Sequence, residues 1–183
     1  MLIMCTRENI KETIEYFEEN NYFGGNSKTF VFFEQKMLPS VNMEGKIYMK
    51  SKNEIALSPN GFGGVLEGIQ KSREALTVLE DTDYVQIIGI DNVLNHVLDP
   101  IHIGFTVSQH LECTLKAVEK TDPEEKLGII GVDQGVYKVI PYDDITAEMK
   151  AEYDENGYLK HIYGDILVFM MSTEFLIHLC TAN

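Results

Sequence analysis

The sequence predicts an α/β fold with a largely parallel central sheet. Three observations carry this. Segments of helical spacing alternate with short apolar runs. The most strand-like run, residues 84–90 (YVQIIGI), stops at a carboxylate, Asp91. A glycine-rich stretch, residues 59–64 (PNGFGG), opens into a helical pattern. In folds of this kind functional loops lie at the carboxyl ends of strands, so Asp91 and the 59–64 loop are the natural candidates. A length of 183 residues, 44% hydrophobic and 24% charged, suits one domain over 1–183 with a real core.

Taken in order, the first element is a helix. Thr6 is a candidate N-cap, and Ile10, Ile14 and Phe17 share a face. Asn20-Asn21 and Gly24-Gly25 end it. Residues 29–33 (TFVFF) read as a buried strand. A β-rich patch follows, with a turn at Gly45-Lys46 and short strands at 47–49 and 55–57. The pattern over 65–79 predicts one helix, with Leu66, Ile69, Leu76 and Leu79 on its apolar face. Residues 93–98 read as a second helix. Asp99-Pro100 starts a further helical turn, where the missing proline N–H costs nothing. Strands are expected at 114–118, 127–132 and 136–140, and a helix over 145–153. Over 166–179 the periodicity leaves a strand leading into a helix, or either alone.

Charge narrows the function. Fifteen Lys plus Arg against 29 Asp plus Glu leave −14, and the only arginines are Arg7 and Arg73. Nucleic-acid backbones and anionic membranes need clustered cations, so neither is expected as a partner. A phosphate-rich ligand would need a local exception or a metal ion. The apolar stretch 166–180 is interrupted by Ser172, Thr173, Glu174 and His178, so no membrane span is expected. The apolar N-terminus is too short for a signal peptide and has no basic region before it. Cys5, Cys113 and Cys180 form no C-x-x-C pair and read as reduced cytoplasmic thiols. The five histidines show no metal-binding spacing.

Two constellations stay open between a functional and a structural role. The 59–64 loop lets backbone N–H groups approach a ligand, or is a plain turn; it has no Gly-Lys-Ser/Thr and no G-x-G-x-x-G. Asp91 can hold Mg²⁺ or a ribose hydroxyl, or can cap a helix from Val93. Glu119-Lys120 is a functional pair or an exposed ion pair, and the acidic stretch 148–155 reads as a solvated helix face.

Several blocks resemble eukaryotic UDP-N-acetylglucosamine pyrophosphorylases. Phe32-Phe33-Glu34-Gln35-Lys36-Met37-Leu38-Pro39 is similar to that family's F-F-x-Q-x-M-L-P, and residues 59–64 to its P-D-G-N-G-G. Ile90-Asp91-Asn92 resembles V-D-N. Asp99-Pro100 with Ile103-Gly104-Phe105 resembles D-P-x-x-I-G-F, and Glu119-Lys120-Thr121 with Pro123 resembles E-K-T-x-P. Gly135-Val136-Tyr137 and Tyr142 fall where the family has G-V-Y and E-Y. The blocks keep their order over residues 1–176.

The resemblance implies a Rossmann-like nucleotide-diphospho-sugar transferase fold, a mostly parallel mixed sheet with flanking helices. The implied reaction is uridylyl transfer: N-acetylglucosamine 1-phosphate attacks the α-phosphorus of UTP, giving UDP-N-acetylglucosamine and pyrophosphate. Implied nucleotide contacts are Gln35, Gly61 and Asp91, the last also the implied Mg²⁺ ligand. At the sugar side the family's Asn, Glu and Asn stand here as Phe62, Pro141 and Asp165, and its Asp before the loop glycine is Asn60. Loss of amide and carboxylate hydrogen bonds weakens discrimination between sugars. The family's G-G-x-G-T-R-L-G loop and catalytic lysines are not in this sequence. The expectation is therefore a fold truncated at both ends, an exposed sheet edge open to self-association, and weak or no turnover by this chain alone. The alternative is a non-catalytic relative that binds uridine nucleotides or another protein.

Overall fold

A computed structural model describes residues 1–182. The described chain divides into two compact units: residues 1–83 with 176–182, and residues 84–175.

In the first unit β1 (Leu2–Cys5) pairs in parallel with β2 (Val31–Glu34), from Leu2↔Val31 to Cys5↔Glu34. The connection is α1 (Ile10–Glu19), which begins later than Thr6. Asn9 sits at the N-cap, and its Oδ1 accepts from the Thr6 N–H at 2.7 Å and the Thr6 hydroxyl at 3.0 Å. Thr6 therefore closes the preceding turn and does not cap the helix. Phe17 on α1 is the hub of an aromatic cluster. Its ring lies 5.1 to 6.2 Å from those of Tyr22, Phe23, Phe30 and Phe32, in edge-to-face pairs. Asn21, Tyr22 and Phe23 hold left-handed backbone (φ 49, 50 and 54°), strain that this packing offsets.

A two-stranded arm follows. β3 (Met37–Pro39) pairs with β6 (Leu57–Pro59), and β4 (Met49–Ser51) with β5 (Glu54–Ile55), all antiparallel. An isolated bridge, Val41↔Ile47, leads to the turn at Gly45 (φ +78°), as the sequence predicts. The single helix expected over 65–79 is two, α2 (Gly64–Lys71) and α3 (Arg73–Glu80). Ser72 divides them: its backbone is extended and its hydroxyl accepts from the Ala75 N–H at 3.2 Å, making a new N-cap. Buried Gly68 sets the approach of α2 to β2. A Cβ there would meet the Phe33 ring at 2.9 Å and the Glu34 carbonyl oxygen at 3.1 Å.

The second unit is built on a sheet that is antiparallel, not mostly parallel as expected. Its strands are β7 (Tyr84–Ile88), β8 (Cys113–Glu119), β9 (Ile129–Asp133), β10 (Val136–Ile140) and β11 (Tyr163–Ser172). β11 pairs antiparallel with β7, β8 and β9, and β9 with β10. The reason is positional. β7 and β8, joined by a helix as the alternation suggests, both border β11, which arrives from far along the sequence and runs against both. Among the described residues the parallel pairing is β1 with β2. The mixed α/β class stands.

Residues 93–98 form turns, not a helix. Side chains compete for the backbone there: Asn92 Oδ1 accepts from the Leu94 N–H at 3.1 Å, and Gln86 Oε1 from the Leu98 N–H at 2.6 Å. Asp91 accordingly caps no helix. α4 (Pro100–Ser108) starts as predicted, with Asp99 Oδ1 accepting from the Ile101 N–H at 3.0 Å. Its buried residues His102 and Thr106 meet β8: His102 Nε2 is 2.9 Å and Thr106 Oγ1 2.6 Å from Thr114 Oγ1. The helix expected over 145–153 shrinks to α5 (Ala147–Lys150), so most of the acidic stretch is exposed turn and not a helix face. The final run is a strand then a helix, β11 followed by α6 (Thr173–Thr181). Among the described residues no helix is long and apolar enough to cross a membrane. The three cysteines are free, their thiols pushed up by burial.

Two outcomes follow from this packing. Gly68→Ala gains helix propensity yet drives a methyl into Phe33, so denaturant unfolding should show a net loss of about 1–3 kcal/mol. The second concerns His102, whose burial and the neighbouring Lys116 ammonium lower its pKa, against a smaller opposite pull from Asp99. The folded state therefore favours the neutral ring. Its contribution is complete above the unfolded value of about 6.5 and declines as pH falls below it. His102→Gln should flatten the stability profile in that window, measured by urea midpoints across pH.

Candidate functional site

The first unit brings Gln35 against the 59–64 loop. The Gln35 N–H donates to the Cys5 carbonyl at 2.8 Å, and the Asn60 N–H donates to the Lys36 carbonyl at 3.0 Å, so the loop is tied beside the end of β2. Gly61 holds φ +76°, a left-handed conformation that glycine adopts without strain. Gly64 is buried at the start of α2, and a Cβ on it would sit 3.5 Å from Gln35 Oε1 and 3.1 Å from Asn60 Cβ. Gly64 and Gly68, one turn apart, thus form a side-chain-free face that lets both Gln35 and β2 come close. Gln35 Oε1 is buried and has no hydrogen-bond partner among the described residues. A desolvated carboxamide oxygen without a donor costs free energy, and a ligand N–H would recover it. Phe62 lies in the same loop, half-buried, and its carbonyl accepts from the Val65 N–H at 3.1 Å. Lys36 adds a cation beside the loop and pairs with Glu67 at 3.4 Å.

In the second unit Asp91, Pro141 and Asp165 lie around the N-terminal half of β11. Asp165 is buried; its N–H donates to the Gly128 carbonyl at 2.8 Å, and its Oδ1 accepts from the Leu167 N–H at 3.0 Å. Leu167 is left-handed (φ +53°), and here the pairing of β11 with β8 shifts register, between Asp165 and Phe169. Gly89 at the end of β7 donates to the Leu167 carbonyl at 3.0 Å, which places the exposed Asp91 two residues beyond this bulge. Pro141 follows Ile140, whose partner Ile129 also pairs with Gly164, so it stands two strands away from Asp165. Tyr142, next to it, carries the Lys150 ammonium 4.7 Å from its ring centroid. Bonds to Tyr142 and Glu124 outweigh desolvation and raise the Lys150 pKa.

Sequence reasoning understated Lys120. It is buried, not an exposed ion pair, and its Nζ reaches the Pro123 carbonyl at 3.4 Å. Gln86 and Asn95, which hold the loop after Asp91, also went unread: Asn95 Nδ2 donates to the Gly89 carbonyl at 3.4 Å. Their signal was the density of amides after an apolar strand. A cavity of about 400 Å³ lies elsewhere in this unit, among Pro123, Ile145, Ala147, Lys150 and Tyr153, and includes none of the predicted site residues.

The family model described as UTP–glucose-1-phosphate uridylyltransferase matches residues 1–164. The chain belongs to this family. It is 34% identical over 179 residues to UDP-N-acetylhexosamine pyrophosphorylase-like protein 1 of Xenopus tropicalis, covering 95% of this chain and 34% of that protein. It is 34% identical over 171 residues to UDP-N-acetylglucosamine pyrophosphorylase of Saccharomyces cerevisiae, covering 90% of this chain and 35% of the yeast protein. The crystal structure of uridine diphosphate N-acetylglucosamine pyrophosphorylase from Trypanosoma brucei, solved with an inhibitor, matches with a TM-score of 0.82 at 29% identity. That match covers 96% of this chain and 36% of the trypanosome chain. The chain spans about a third of the length of the curated relatives it matches.

The orphaned oxygen of Gln35 makes a prediction that needs no ligand. Gln35→Leu removes an unsatisfied buried acceptor at nearly constant volume, so the chain should gain about 1 kcal/mol against urea. A loss of stability would show that the oxygen is partnered.

Proposed function

We propose that this chain carries the uridine-binding portion of a UDP-N-acetylglucosamine pyrophosphorylase. The reaction is UTP plus N-acetylglucosamine 1-phosphate giving UDP-N-acetylglucosamine plus pyrophosphate. A phosphate oxygen of the sugar phosphate bonds to the α-phosphorus of UTP, and the bond to the bridging oxygen of the leaving pyrophosphate breaks. The observation that carries the reading is the unpartnered Gln35 oxygen beside the Gly61–Gly64 backbone. Uracil presents one ring N–H between two carbonyl oxygens, so a carboxamide can accept that N–H while its own NH₂ donates to a carbonyl. The side-chain-free loop lets the flat base lie close to the chain.

Asp91 is the residue of this chain we assign to the ribose or the phosphate–Mg²⁺ region. Among the described residues no three His, Cys, Asp or Glu side chains gather as a metal cage. A lone carboxylate fits Mg²⁺ that arrives on the nucleotide's own phosphates. When bound, Mg²⁺ supplies positive charge to the phosphate chain. At the sugar side, Phe62 and Pro141 offer no side-chain hydrogen bond. Asp165 offers only acceptors, one already used by Leu167. Discrimination among sugar phosphates should accordingly be poor. The sequence contains no G-G-x-G-T-R-L-G, so turnover by this chain alone is expected to be low or nil.

Calorimetry tests the binding half. UTP and UDP should bind, and Gln35→Leu should weaken both by about tenfold, the worth of one or two hydrogen bonds. Unchanged affinity in that variant overturns the assignment. Pyrophosphate release from UTP, Mg²⁺ and N-acetylglucosamine 1-phosphate tests the catalytic half. It should stay far below the usual enzymatic range of about 1–10³ per second. Nucleotide binding with no turnover favours a non-catalytic role for the isolated chain.

A further inference from the structure

The arm of the first unit is chemically unlike the rest of the chain. Residues 36–57 hold four lysines (Lys36, Lys46, Lys50, Lys52) against Glu44 and Glu54, a local charge of +2. The other residues hold eleven lysines and arginines against 27 acids, so they carry −16. The arm is also apolar on its surface. Val41, Met43, Ile47, Tyr48, Met49 and Leu57 are each at least half exposed, and Met43 at the tip is 104% exposed. Two-stranded ribbons of this length are marginal in isolation and expose both faces. Clustered apolar exposure beyond a few hundred Å² marks an interaction surface.

We infer that this arm is a docking surface for a second copy of this chain, and that it seats on that copy's acidic 143–158 surface. The two surfaces are complementary in charge, and both expose apolar side chains. Residues 143–155 hold six acids (Asp143, Asp144, Glu148, Glu152, Asp154, Glu155) against one lysine, Lys150. Among them stand exposed Tyr153 and, just beyond, exposed Tyr158. The same surface opens the cavity of about 400 Å³, lined by Pro123, Ile145, Ala147, Ala151 and Tyr153 and by the Glu124–Lys150 pair at 3.3 Å. It suits an apolar knob flanked by cations. Met43 is such a knob: an unbranched thioether adapts to an irregular cavity. Lys46 and Lys50, which pair with Glu44 and Glu54 at 3.2 Å, lie on either side of the bridge that holds the turn, and Lys52 adds a further cation. Copies of a −14 chain repel one another generally, so contact is favoured only where a basic patch meets an acidic one. This surface is separate in sequence from the β1–β2 pair, and the inference is independent of the nucleotide reading.

Sedimentation velocity of the intact chain is the test. At low ionic strength the mass should rise above 20.8 kDa with concentration and fall back as salt screens the contact. Lys50→Glu with Lys52→Glu should weaken association by about tenfold or more, because opposed charges become like charges. Met43→Ser should weaken it too, with unchanged circular dichroism. Mixing the Lys50→Glu, Lys52→Glu chain with an Asp144→Lys, Glu148→Lys chain should restore a mixed complex. A chain that stays monomeric at every concentration overturns the inference. So does association indifferent to the arm's charge, failure of the charge-swapped pair to rejoin, or an arm that instead captures anionic phosphatidylserine vesicles.

Discussion

The first unit depends on how closely α2 can lie against β2. Gly64 and Gly68, a helical turn apart, leave that face of the helix without side chains, so the backbone rests on Phe33, Glu34 and Gln35. The contact fixes three things together. It closes the core around Phe33 and Ile69. It places the 59–64 loop, which leads straight into α2, beside the end of β2. It also encloses the Gln35 carboxamide oxygen where no donor among the described residues reaches it. Core packing and the candidate site therefore share one steric requirement.

In the second unit the corresponding role belongs to β11, which borders three other strands. The polar side chains that line the unit's interior are mostly paired. Thr106 and His102 meet Thr114, and Asp165 caps the Leu167 N–H. Lys116 pairs with Asp99 at 2.5 Å, which together with the backbone holds the Asp99 carboxyl below the usual carboxylate range. Exposed acids are dense on the segment that follows β10, at Asp143, Asp144, Asp154 and Glu155.

Much of this was legible from residues alone. Local signals of high specificity held: Asp99-Pro100 opens a helix, Gly45 turns the arm, and 136–140 is a strand. Longer helices were overread where a side chain could satisfy the backbone by itself. Ser72 interrupts 65–79, and Asn92 with Gln86 holds 93–98 in turns. Strand direction could not be read, because the partner that runs between β7 and β8 comes from residues 163–172, and periodicity carries no information about distant neighbours. The family was legible from short blocks in register. The unpartnered state of the Gln35 oxygen was not, since it arises from the approach of α2.

The register shift in β11 divides its longest strand into two lengths set end to end. Residues 163–165 are measured against β8 and β9, and residues 168–172 against β7 and β8, with left-handed Leu167 between them. Each length keeps its own alignment because the joint stores no common ladder. A residue inserted or deleted over evolutionary time in one length would be absorbed at that joint. The other length, and whatever it positions, would stay in place.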